Sequence, residues 1–63
     1  MGYKIKEMRE LRKISQEELA AKSGVSRTTI STLENDPEKE TMISTLKKIA
    51  KALDVSVDQL FSA

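Results

Sequence analysis

The stretch from Ile14 to Glu34, ISQEELAAKSGVSRTTISTLE, decides how the remaining residues are read. It starts twice in the same way, as Ile14-Ser15-Gln16-Glu17-Glu18-Leu19 and again as Val25-Ser26-Arg27-Thr28-Thr29-Ile30. In each copy the Ser is placed to accept a hydrogen bond from a first-turn backbone N–H. The apolar residue before it can staple against the one five positions on. The first copy completes a capping box with Glu18, whereas the second has Thr29 in that place. An acid there would steady an isolated helix but repel an anion approaching the positive end of the helix. The omission therefore singles out the second helix as one that can face an anion. That Thr29 fills a packing gap is an equally open explanation.

Between the two starts, Gly24 supplies the left-handed residue that turns the chain sharply, and Ala20 leaves room for a crossing helix. The helix beginning at Arg27 buries Ile30 and Leu33 by its periodicity. It leaves Arg27, Thr28, Ser31 and Thr32 on or beside the outer face.

On the N-terminal side, Ile5, Met8, Leu11 and Arg12 recur at helical spacing and predict a helix over residues 4–12. Lys13 follows where Gly would most easily end a helix, so either Lys13 is mildly strained or the turn differs. On the C-terminal side, residues 35–40 read as a loop or single turn. A helix then starts at Thr41, with Met42, Leu46, Ile49, Ala50 and Leu53 as its apolar stripe. A third capping pattern, Val55-Ser56-Val57-Asp58-Gln59-Leu60, starts a short fifth helix from Val57 to about Phe61. The expectation is one all-α domain over residues 1–63, with five compact helices and no β pattern, repeat or linker.

A chain of 63 residues buries only about 60% of the surface exposed when it is unfolded, so it must be stabilised economically. With neither Cys nor His, it lacks disulfides and the usual zinc ligands, and helix packing has to suffice. No metal or cofactor is expected. No apolar run is long enough to span a membrane or to form a signal-peptide core, so a cytoplasmic location is the simplest expectation. The net charge of +1 conceals a basic segment at residues 1–13 and an acidic one at residues 34–40. Binding by bulk charge would need a more basic chain, so affinity for nucleic acid must come from local geometry. The alternation Asp36, Glu38, Glu40 starts like a calcium loop, but Pro37, Thr41 and Lys47 spoil the pattern. An enzyme is not expected, since there is no glycine-rich phosphate loop and too little chain to enclose a pocket.

Ala20, Gly24, Ile30 and Leu33 have helix-turn-helix spacing. Three blocks stand in order around them: S-Q-E-E-L-A-x-K-S-G-V-S, then I-S-T-L-E, then K-I-A-K-A-L-D-V-S-V-D-Q-L-F. Through these blocks the chain resembles the Cro/C1-type helix-turn-helix family (Xre-like, lambda-repressor-like) over residues 5–61, with the motif proper at 16–35. The resemblance implies a five-helix lambda-repressor-like domain whose third helix enters the DNA major groove. It implies a transcriptional regulator, a repressor by expectation, that binds a two-fold operator as a homodimer.

By the same resemblance Arg27, Thr28, Thr32 and Gln16 make up the base-reading set. Gln16 binds the backbone and braces a side chain of the reading helix. Arg suits guanine through two hydrogen bonds, and Thr offers a hydroxyl and a methyl. Ser26, Ser31, Asn35 and Lys39 are expected at phosphates. Arg9 and Glu34 are expected to form a structural ion pair. Relatives often carry Asn-Gly and basic residues after the Leu-Glu pair, whereas this chain has Asn35-Asp36-Pro37-Glu38-Lys39-Glu40. An Asn-x-Pro turn of this kind is similar to one in some helix-turn-helix antitoxins. The alternative is therefore an antitoxin-like or adaptor protein, whose partner protein would dock on the acidic loop and the fifth helix.

Overall fold

The computed structural model describes residues 3–36 and 40–61. Within them the chain forms α1 (Ile5–Leu11), α2 (Gln16–Ser23), α3 (Arg27–Asn35) and α4 (Ile43–Leu53), followed by one 3-10 turn at Val57–Leu60. The architecture is all-helical with four α-helices, where five were expected. The fifth start has its complete capping box, with Ser56 accepting from Gln59 N and the Gln59 side chain accepting from Ser56 N. It fails to propagate because Phe61 turns extended and pairs in a single antiparallel bridge with Tyr3. The Lys4 N–H donates to Leu60 O at 2.6 Å beside that bridge, drawing the two ends of the described chain together.

Leu19, Ile30, Leu33, Leu46, Ile49, Ala50, Leu53 and Leu60, joined by Ile5 and Val25, make one core. Each fully buried Leu or Ile contributes about 1.5–3 kcal/mol relative to exposure. In a domain without staples, these side chains are the main source of stability. α2 packs most extensively on α4 and α3, and α3 packs on α2 and α1, so α2 links α3 to α4.

Two sequence expectations change at the helix ends. Leu11 is 74% exposed, although its spacing placed it with Ile5 and Met8. At 3.6 residues per turn, each step of three falls about 60° short of a full turn, so Leu11 has rotated about 120° from Ile5. Arg12 returns to the inner side and donates from Nε to Leu53 O at 3.0 Å and from Nη2 to Asp54 O at 3.3 Å. These carbonyls belong to the negative end of α4, where a cation is favoured. At the other end of α4 the N-cap is Met42, not Thr41, and Met42 and Ile43 are 69% and 55% exposed. The apolar stripe therefore begins at Leu46.

Lys13 does take the left-handed conformation, at φ 58°, as does Asp54 after α4. Both sit in the same closing turn. Lys13 N donates to Glu10 O and Ile14 N to Arg9 O, while Asp54 N donates to Lys51 O and Val55 N to Ala50 O. Those paired bonds satisfy the last carbonyls of each helix and hold the strained residue in place.

Candidate nucleic-acid interface

α3 is held by Ile30 and Leu33, both buried, which fixes the rotation of its opposite face. On that face Arg27 and Thr28 are exposed, and Ser31 and Thr32 are half-buried. Together with Gln16 from α2 these four residues line a shallow open depression. A second, smaller hollow of about 200 Å³ lies between α3 and the segment before α4, lined by Thr28, Thr29, Thr32, Leu33, Glu40 and Thr41.

The local hydrogen bonds decide which groups are free to meet a ligand. Ser26 caps α3 by accepting from Thr29 N at 3.1 Å, and its own hydroxyl donates to Thr29 Oγ1 at 2.8 Å. Thr29 thus supplies a neutral partner where the first copy has an acid, and α3 carries no acid in its first turn. The backbone N–H groups of Arg27 and Thr28 have no partner among the described residues. They lie at the positive end of the helix, where an acceptor such as a phosphate oxygen is favoured. The Ser26 hydroxyl is committed to the cap, so Ser26 positions these N–H groups more than it offers a donor of its own. Thr32 Oγ1 donates to Thr28 O at 2.9 Å, leaving its methyl and its acceptor lone pairs for the outside. Asn35 Nδ2 donates to Ser31 O at 2.9 Å and to Ser31 Oγ at 3.3 Å, linking those two candidates. Lys39 lies outside the described residues.

Behind this face three helices meet at one carboxylate. Glu34 on α3, its side chain 2% exposed, accepts from Arg9 Nε of α1 at 2.9 Å and Arg9 Nη2 at 3.2 Å. Gln16 Nε2 of α2 donates to the same group at 2.9 Å, and Arg9 Nη1 reaches Ile14 O at 3.0 Å. The hydrogen bond from Glu34 holds the Arg9 guanidinium above its ordinary, already high pKa against the opposing effect of burial. Gln16 therefore braces the last turn of α3 while also lining the depression.

One contact was not foreseen from the sequence. Arg27 Nη1 donates to Glu17 Oε1 at 3.0 Å, across the turn between α2 and α3. Two charges ten residues apart carry no helical register, so only the crossing of the helices brings them together.

A helix-turn-helix family model matches residues 5–60. The chain is 37% identical over 62 residues to the uncharacterised HTH-type transcriptional regulator RghRB of Bacillus subtilis, covering 98% of this chain and 45% of that protein. It is 36% identical over 62 residues to the HTH-type transcriptional regulator SinR of Bacillus licheniformis, covering 98% and 56%. The chain thus spans about half the length of these relatives. Among solved structures, the restriction-modification controller protein C.AhdI from Aeromonas hydrophila matches with a TM-score of 0.83 at 31% identity. That match covers 92% of this chain and 86% of the controller. With a buried-backed polar third helix, a glycine turn before it and a family match across nearly its whole length, this chain belongs to the Cro/C1-type helix-turn-helix family of DNA-binding transcriptional regulators.

Proposed function

We propose that this chain is a sequence-specific binder of double-stranded DNA that represses transcription in the cytoplasm, acting as a homodimer on a two-fold operator. Its half-sites would lie about one helical turn apart, with α3 in the major groove. The observation that carries this reading is the outer face of α3. Arg27, Thr28, Ser31 and Thr32 share one depression with Gln16, next to the Arg27 and Thr28 N–H groups that have no partner among the described residues. Arg27, Thr28 and Thr32 would meet base edges, with Gln16 alongside. Ser26, Ser31 and Asn35 would lie at the backbone, as would Lys39. The names of the relatives, two transcriptional regulators and a restriction-modification controller, support a regulatory role.

The test is selection of bound duplexes from a random DNA library at two salt concentrations, followed by titration of Arg27→Ala. A palindromic consensus is expected, and Arg27→Ala should lose about 1–3 kcal/mol on it while relaxing one base pair. Weak, sequence-blind and strongly salt-dependent binding would refute the reading.

A protein partner is the second reading, and the exposure of Met42 and Ile43 beside Glu40 favours it. Phe61 does not favour it, since the ring is half-buried against Tyr3 with centroids 5.8 Å apart. Recovery of one stoichiometric protein from the native cell, with no operator found, would decide for the partner.

A further inference from the structure

We infer that Glu17 determines the specificity of Arg27, holding its guanidinium so that one edge faces a base and discouraging that cation from settling on any phosphate. The inference rests on the DNA-binding reading above. The two side chains meet at 3.0 Å but are 75% and 60% exposed, too solvated for the pair to matter much to the fold. Nor is Glu17 needed to cap α2, because Glu18 already closes the box with Ser15 N at 3.1 Å. What the contact does is geometric. It occupies Nη1 and leaves Nε and Nη2, which have no partner among the described residues. Those two N–H groups form one parallel edge of the planar fork, the arrangement that matches the paired acceptors of guanine.

The charge acts in the same direction. A lone Arg at the rim of the depression would bind phosphate at any sequence, since phosphate contacts carry no sequence information. With the Glu17 carboxylate beside it, a phosphate meets a locally neutral pair. A guanine edge offers neutral acceptors, and so is not repelled. Glu17 is thus a positioning residue that acts through Arg27, raising the ratio of specific to non-specific binding.

The experiment compares wild type, Glu17→Ala, Glu17→Gln and the Glu17→Ala/Arg27→Ala double variant. Each is put through random-library selection and titrated with a random-sequence duplex at two salt concentrations, with thermal unfolding measured alongside. Glu17→Ala should broaden the consensus at the one base pair that Arg27→Ala also relaxes. It should also tighten random-duplex binding by about two- to fivefold and steepen the salt dependence by up to about one released counterion. Glu17→Gln, which keeps an acceptor oxygen but loses the charge, should gain random-duplex affinity while keeping more of the base preference. The double variant should behave as Arg27→Ala alone. Unchanged base preference in a folded Glu17→Ala overturns the inference and leaves the DNA reading intact. A wild type that binds no duplex overturns both.

Discussion

Arg9→Ala should be the most damaging single change outside the apolar core. The substitution removes three hydrogen bonds, from Nε and Nη2 to Glu34 and from Nη1 to Ile14 O. It strands a carboxylate whose side chain is 2% exposed, with only Gln16 Nε2 among the described residues still donating to it. Removing one partner of a buried pair costs about 3–5 kcal/mol. The remaining Gln16 bond, and screening of Arg9 at 13% exposure, bring the expected loss to about 2–3 kcal/mol. For 63 residues the total stability is about 3–9 kcal/mol, so the loss is a large fraction of it. A pH scan is the wrong assay. The guanidinium is raised above an already alkaline value, so its stabilisation is full below that value and is lost only as pH climbs beyond it. Urea unfolding followed by helical circular dichroism is the suitable measurement. At a slope near 1 kcal/mol/M the midpoint should fall by about 2–3 M with the slope unchanged. Arg9→Met/Glu34→Leu should cost much less than the sum of the two single variants, because no charge is left stranded. A loss below about 1 kcal/mol for Arg9→Ala would refute the reasoning, since that is the size of a solvated surface pair.

Other expectations follow from backbone strain and core burial. Gly24→Ala has nothing within 4 Å of the added carbon, so its cost of about 1–2 kcal/mol should be purely that of φ +74°, visible as a lower urea midpoint. Lys13→Gly removes the same strain at φ 58° and should stabilise by about 0.5 kcal/mol net of the added freedom of the unfolded chain, measured the same way. Leu60→Ala should cost about 2–5 kcal/mol, because Leu60 is fully buried despite lying in a single 3-10 turn. A surface-like cost there would mean that the turn frays from the core.

The parts of the fold legible in the sequence are those set by neighbours in the chain. Ser15, Ser26 and Ser56 each cap the element expected of them, because a cap is satisfied within three residues. Gly24 takes the left-handed turn for the same local reason. What escaped was decided at a distance. The final turn stops as a 3-10 element because Tyr3 captures Phe61 from the far end of the chain. Arg12 closes the end of α4 from 41 residues away, and no periodicity could announce it.

The candidate site divides along the same line. The polar face of α3 follows from period alone, since burying Ile30 and Leu33 leaves Arg27, Thr28, Ser31 and Thr32 outward or at the edge. The contacts that condition that face are between helices, and they differ at its two ends. At the C-terminal end of α3, Glu34 is tied to α1 and α2 by bonds that water scarcely reaches. At the N-terminal end, the Arg27 side chain is restrained by one exposed pair with Glu17. A buried node resists displacement, whereas an exposed pair worth about 1 kcal/mol or less biases a side chain's orientation without locking it. α3 is therefore anchored where it must keep register with the core, and Arg27, at the end of the proposed reading face, is restrained only lightly. On the DNA-binding proposal, loss of Arg9 should accordingly weaken binding to every sequence through the fold, whereas loss of Glu17 should relax the preference at one base pair.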